Sequence, residues 1–406
     1  MINKFWLCNV KLESGFEYNN DKIYGTKTHT YDILIEDEKI ANVLPKHNAN
    51  DNIKTIDVKG LLALPSFTDK HIHLDKGHFG GPWKAPTPFE SVFSRIKEEE
   101  EFIPRFLPFT TSRAEELLNL ITSNGVTHTR VHCNVDPVSE FSNLQKVIIA
   151  LEKFKEKLNY EIVAFPQHGL LHSNSIPLIK ESFRRGLCNV VGGLDPATID
   201  NDIERSLNSM MDIAVEFNAD VDIHLHDGGT LGIYTIKRLM KLTEEANWQG
   251  RVTISHGYCL GSVSEKDIVD IAHGLAALDI GLVTTSPIDA PCPPIPLLYE
   301  KGVRVSLAND NINDHWSPFG TGDMLQRASR LAEKFGWIDE YALSRALNFI
   351  TSGKTPLDSE GKVLWPKIGD DANFVFTNAS CSAEAVARIG KRKATMYKGK
   401  LVYGEL

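Results

Sequence analysis

Two styles of hydrophobic patterning divide the chain. The first 60 or so residues carry short runs in which apolar and polar positions alternate, KFWLCNVKL, YDILIEDEKIANVL and IKTIDVKG, separated by Asn, Asp and Gly. Alternation with period two between turn residues predicts strands of a small antiparallel sheet. DANFVFTNAS and TMYKGKLVYG repeat that style at the far end, with Lys398-Gly399 as a hairpin turn. Between them, eight short apolar runs alternate with amphipathic segments: LLALPSFTDKHIHL, VTHTRVHCNV, YEIVAFPQHG, CNVVGGLDP, ADVDIHLHD, RVTISHG, IGLVTTSP and VRVSLANDN. Segments such as SRAEELLNLITSNG and GIYTIKRLMKLTEEANW space their apolar residues three and four apart and close on Gly or Asn, as helices do. Eight strand-helix units predict an α/β chain: a (β/α)8 TIM barrel over 62–355, with a small β-sandwich domain assembled from 1–61 and 356–406.

Composition narrows the function. With 406 residues, 42% hydrophobic and 24% charged, the chain can bury a large core, and disordered, collagen-like and coiled-coil classes are excluded. A net charge of -9 leaves no basic stripe to neutralise phosphates, so a nucleic-acid partner is not expected and a small, weakly charged ligand is. The six cysteines are scattered without a CxxC pair, which suits reduced thiols in a cytoplasmic protein. The start MINKFWLCNVKLESG lacks the apolar run of a signal peptide, and no stretch is long and apolar enough to be expected to span a membrane.

In a barrel of this kind, chemistry sits on the loops that follow the strands. Five of the 14 histidines (His71, His73, His224, His226, His256) fall at the ends of runs one, five and six, and Asp310 ends run eight. Residues two apart on a strand share a face, so His71 and His73 can aim both imidazoles at one point. His224 can add a third nitrogen and Asp310 an oxygen, a His-His-His-Asp set suited to zinc or ferrous iron with room for a water that ionises near neutral pH. An isolated HxH arises by chance; core packing, however, does not explain so many polar groups converging in barrel order.

LPSFTDKHIHLDK, the run-five His, the run-six SHG and the run-eight Asp resemble the amidohydrolase superfamily along nearly the whole chain. VAFPQHG is similar to a cytosine deaminase motif. VVGGLDPAT, HLHDGGTLGIYTIKRL and ANDNINDHWSPFGTGDM resemble the N-isopropylammelide isopropyl amidohydrolase branch more closely. The resemblance implies one divalent metal per chain, zinc first and ferrous iron second, on His71, His73, His224 and Asp310. It implies that Asp310 also takes a proton from the attacking water and that His256 orients or polarises water or substrate. Relatives with two metals often carry a bridging Lys after strand four. VVGGLDPAT has none, so a single metal is expected, with Asp195 as the one carboxylate there that could reach it.

Removing an amine also needs a proton donor. Where cytosine deaminase has Glu, this chain has Asp227, which serves directly, through water, or together with His226. His226 is expected on the opposite pleat face from the metal, either structural or sharing the proton transfer. Gln167 matches a residue that reads a ring's carbonyl and nitrogen edge. Its neighbour His168 replaces a Glu of cytosine deaminase and Asn311 replaces an Asp, so cytosine itself is not the expected substrate. Trp316 either stacks on a flat ring or packs, and Lys76 either polarises a ring carbonyl or pairs with Asp75. The acidic run KEEEEF at 97–102 is expected to be a solvated helix face.

The implied activity is hydrolytic removal of ammonia or an alkylamine from a pyrimidine, triazine, pterin or similar N-heterocycle. The alternatives are opening of a cyclic amide and a catalytically inactive ligand-binding barrel. Relatives also imply a homo-oligomer.

Overall fold

A computed structural model describes residues 4–45 and 53–406. The expected terminal segment 1–61 therefore falls partly outside the described residues, at 1–3 and 46–52.

The termini form one mixed sheet. Its strands are β1 (Lys4–Asn19), β2 (Lys22–Glu36), β3 (Lys39–Leu44), β4 (Lys54–Asp57) and β5 (Leu62–Pro65) from the start of the chain. The barrel strands β6 to β13 come next in sequence, and β14 (Phe374–Thr377), β15 (Arg392–Tyr397) and β16 (Lys400–Gly404) complete the terminal sheet. The order is β16-β15-β14-β5-β1-β2-β3, with β4 alongside β1. Two-residue turns join the hairpins: Asn20 and Asp21 adopt φ 47° and 62°, and Lys398 and Gly399 adopt 49° and 72°. Both residues of such a turn need positive φ, which Asn, Asp and Gly supply at low cost. Phe5, Leu7, Ile33, Ile35, Trp365, Phe374, Phe376 and Met396 pack together in one core.

The eight runs of the middle region supply the eight parallel strands of the barrel: β6 (Phe67–Ile72), β7 (Val126–Asn134), β8 (Asn159–Phe165), β9 (Val190–Leu194), β10 (Asp220–Leu225), β11 (Val252–His256), β12 (Gly281–Thr284) and β13 (Val305–Leu307). Closure comes from the segment after β13, where the Asp310 backbone N–H donates to the His71 carbonyl at 2.8 Å. The first run divides. Leu62–Pro65 pairs with β14 in the terminal sheet, and the chain enters the barrel at Phe67. Period-two alternation lets β5 serve both bodies: Leu62 and Leu64 pack in the barrel cluster, whereas Ala63 packs in the terminal core.

Between β6 and its outer helix Thr110–Ser123 lies an extra segment that ends in α1 (Val92–Phe106). Ser91 caps α1 reciprocally with Ser94. This segment brings α1 against the C-terminal mouth of the barrel.

Candidate active site

His71 and His73 leave β6 beside the closing segment. Their Nε2 atoms lie 3.4 Å and 3.3 Å from Asp310 Oδ1. The His224 ring, at the end of β10, stands 4.4 Å from that of His71 and 5.5 Å from that of His73, centre to centre. The four expected ligands therefore converge. The outward nitrogens of His71 and His73 are held by the barrel. Ser255 Oγ donates to Asp222 Oδ1 at 2.6 Å and so accepts from His71 Nδ1 at 2.8 Å. His73 Nδ1 donates to the His132 carbonyl at 3.1 Å. Both tautomers present a bare Nε2 to the centre.

Burial pushes the His73 imidazole down to about 4, and Lys76 adds to the effect. Burial and neighbouring imidazoles hold His224 and His256 well below the usual value. Burial alone would raise Asp310, but the His71, His73 and His256 imidazoles around it hold its carboxyl well below the ordinary carboxylate range. His71 Nε2 and both ring nitrogens of His224 have no hydrogen-bond partner among the described residues, although all are buried. Buried polar atoms are seldom left unpaired. Neutral imidazoles with free lone pairs around one carboxylate are the donor set that a divalent cation takes, so these residues fit a metal.

His256 ends β11 with its ring 5.0 Å from that of His71 and 5.1 Å from that of His224. His256, Asp310 and Asp195 adopt φ of 71°, 61° and 34°. Such conformations strain side chains with a Cβ and persist where the surroundings dictate them.

His226 corrects an expectation. It does not lie on the opposite pleat face from His224; two positions along the strand direction return a side chain to the same side, and its ring sits 5.9 Å from His224 and 4.3 Å from His256. Its Nδ1 is 2.7 Å from Asp195 Oδ2. Burial disfavours charge on this imidazole, but the Asp195 carboxylate outweighs it and raises the pKa. Asp195 is thus turned to His226 and, through Oδ1, to the backbone N–H groups of His226 and Asp227. Asp227 faces the loop after β9, where it accepts from the Ala197 and Thr198 backbone N–H groups and from the Thr198 hydroxyl.

The residues expected to contact a ring are placed as follows. Lys76 Nζ donates to Gln167 Oε1, which leaves the Gln167 amide NH2 as a donor. Phe165 stacks on His224 at 3.9 Å, and Lys76 Nζ stands 5.6 Å from the Phe165 ring. Trp316 packs beside the cluster of Ile96, Phe165 and Leu194. Asn311 donates to Asp314 Oδ2. His168 is buried, with Nδ1 3.9 Å from Asp136.

Two buried residues escaped the sequence argument. His132, in β7, stacks on His71 at 3.7 Å, and its ring nitrogens have no hydrogen-bond partner among the described residues. Its place near the end of run two is the signal that could have marked it. Glu99 belongs to KEEEEF, which is not a uniformly solvated face: Glu100 and Glu101 are exposed, but Glu99 is buried under the barrel mouth. One helix turn can send adjacent side chains in opposite directions, and composition does not say which.

Comparison with known proteins agrees with this architecture. The chain is 40% identical over 406 residues to the uncharacterized protein YahJ of Escherichia coli (strain K12), covering 99% of this chain and 88% of that one. It is 30% identical over 381 residues to N-isopropylammelide isopropyl amidohydrolase of Pseudomonas sp. (strain ADP), covering 93% and 94%. The crystal structure of N-isopropylammelide isopropylaminohydrolase from Burkholderia multivorans ATCC 17616 superposes with a TM-score of 0.87 at 29% identity, over 99% of each chain. The amidohydrolase family model matches residues 115–403. With more than half the chain matched and the barrel and its histidine cluster in place, this chain belongs to the amidohydrolase family.

Proposed function

We propose that the chain is a metal-dependent hydrolase that removes an exocyclic amine, as ammonia or an alkylamine, from a nitrogen heterocycle such as a pyrimidine, triazine or pterin. The observation that carries this reading is the convergence of Asp310 with the bare ring nitrogens of His71 and His224 and with His73, opposite the His226–Asp195 pair. Similarity to N-isopropylammelide isopropyl amidohydrolase supports the reaction class.

His71, His73, His224 and Asp310 would hold the ion, zinc first and ferrous iron second. A divalent ion there supplies Lewis acidity that brings the pKa of water toward neutrality. Asp310 accepts the proton from the attacking water with the oxygen not engaged by the histidines. His256 donates to the oxygen that develops on the attacked ring carbon. His226, oriented through Nδ1 by Asp195, holds a proton at Nε2 and delivers it to the departing amine. Asp227 holds the loop that carries Asp195, a supporting role in place of direct proton transfer. Lys76 and the Gln167 amide NH2 present donors to ring carbonyls or ring nitrogens, and Trp316 covers a ring face. These donors favour a ring rich in acceptor edges, as oxo-triazines and oxo-pyrimidines are.

Among the described residues no helix is long and apolar enough to cross a membrane. The six cysteines form no disulfide among the described residues, which fits the expected reducing setting.

The test is ammonia and alkylamine release by metal-quantified protein from cytosine, 5-methylcytosine, isocytosine, ammelide, N-isopropylammelide, isoguanine and amino-pterins. Turnover of any ring at about one metal per chain is the expected result. Silence across the panel at full metal loading would overturn the amine-release reading.

A further inference from the structure

Glu99 is the residue of α1 that joins the barrel mouth. It is 1% exposed, and its two carboxylate oxygens engage groups from three different strand exits. Oε2 accepts from Trp316 Nε1 at 2.6 Å, on the segment after β13. Oε1 accepts from Asn134 Nδ2 at 2.6 Å, at the end of β7, and lies 3.5 Å from Lys76 Nζ, on the segment after β6. Burial alone would raise this carboxyl, but Lys76, His168 and His315 hold it at about 2, so it is an anion in the folded protein. The adjacent Glu98 pairs instead with Arg95 at 2.9 Å, near the rim.

Lys76 and Trp316 are two of the three groups assigned above to the ring-binding wall, and Gln167, the third, is fixed by Lys76. Without a carboxylate behind it, the buried Lys76 ammonium loses its nearest anion, and the Trp316 N–H loses its acceptor. An indole whose N–H is tied backward can only offer a substrate its face. A lysine drawn to Glu99 and Gln167 keeps its remaining N–H directed by those two contacts.

We propose that Glu99 is the positioning residue of the ring-binding wall: its single buried carboxylate sets the orientation of the Trp316 indole and the Lys76 ammonium together, and thereby the specificity for the heterocycle. This inference rests on the proposed function for the ring contacts, but the geometry of the three residues does not depend on it. The acidic helix that covers the mouth is on this account part of substrate recognition, with no contact between Glu99 and the reacting atoms.

Glu99→Gln tests it, because an amide keeps the shape but places a donor against either Trp316 or the Asn134–Lys76 pair. Two readouts are taken on the zinc-loaded protein. The first is the emission of Trp316 without ligand, obtained by subtracting the spectrum of Trp316→Phe within each Glu99 background. The second is the kinetics on whichever ring of the panel is turned over. Expected are a shifted Trp316 spectrum, unchanged zinc content, and a KM raised about tenfold with kcat within about threefold. The double variant Glu99→Gln/Trp316→Phe should be little worse than the poorer single one, since both act through one contact. Glu99→Asp, which keeps the charge, should restore KM in part; if Glu99→Gln does not fold, Glu99→Asp carries both readouts against wild type.

An unchanged Trp316 spectrum, or fully additive losses in the double variant, would overturn the proposal. If no ring is turned over by the wild type, the amine-release reading fails on its own, and the Trp316 spectrum alone decides the role of Glu99: a shift supports it and no shift overturns it.

Discussion

His226 Nδ1 lies 2.7 Å from Asp195 Oδ2, at the exits of neighbouring strands β10 and β9. The contact fixes which ring nitrogen faces the chamber and favours the protonated ring beside a set of imidazoles that burial keeps neutral. If the proposed function holds, the histidine that delivers the proton and the imidazoles that stay neutral are thus separated by environment alone.

If Asp195 orients the proton donor, Asp195→Asn should lower kcat by roughly 10²–10³-fold while the metal stays bound. Metal analysis beside steady-state kinetics checks this. A variant with wild-type kcat would remove His226 from the proton path.

The Arg130–Asp222–Ser255–His71 chain runs through the barrel interior to the histidine cluster. Arg130 Nη1 donates to Asp222 at 2.8 Å, and Ser255 links that carboxylate to His71. Ser255→Ala should weaken zinc affinity about 10–100-fold by freeing the His71 ring, with little loss of fold. Competition against a chelator of known affinity measures it, and unchanged affinity would show that His71 is oriented by other contacts.

Far from the site, Glu13 of β1 is buried with Oε1 accepting from the Ser382 N–H, and burial pushes its carboxyl up to about 7 from 4.5. A folded-state pKa above the unfolded one means that the folded protein binds the proton more tightly. The stability this gives is complete below about 4.5 and is lost as pH rises toward 7. Glu13→Gln, which never ionises, should therefore gain on wild type across that interval, by up to about 3 kcal/mol above it. Denaturant melts at pH 4.5 and 8 check the sign; an equal gap at both would contradict the buried carboxyl.

The barrel and its histidine cluster were legible because both leave periodic marks: apolar runs at strand spacing, and histidines where those runs end. His71, His73, His224, His256 and Asp310 all come together as their positions suggested. Other features had no such mark. The run 61–74 feeds two sheets because the chain changes sheet at Ser66, within one unbroken apolar pattern. Glu99 is hidden among three acidic neighbours because burial depends on where α1 packs, and nothing local fixes that. Asp195 and Asp227 are both carboxylates at strand exits; only the fold of the loop after β9 decides that the first meets His226 and the second meets Thr198.

The central claim is that one divalent ion on His71, His73, His224 and Asp310 is required for amine release. Metal-free protein titrated with zinc, with turnover of a reactive ring recorded at each addition, tests it most directly. The account predicts activity that rises linearly and breaks at about one equivalent per chain, with no such rise in His224→Ala. Full turnover before any zinc is added, or a break at about two equivalents, would contradict it.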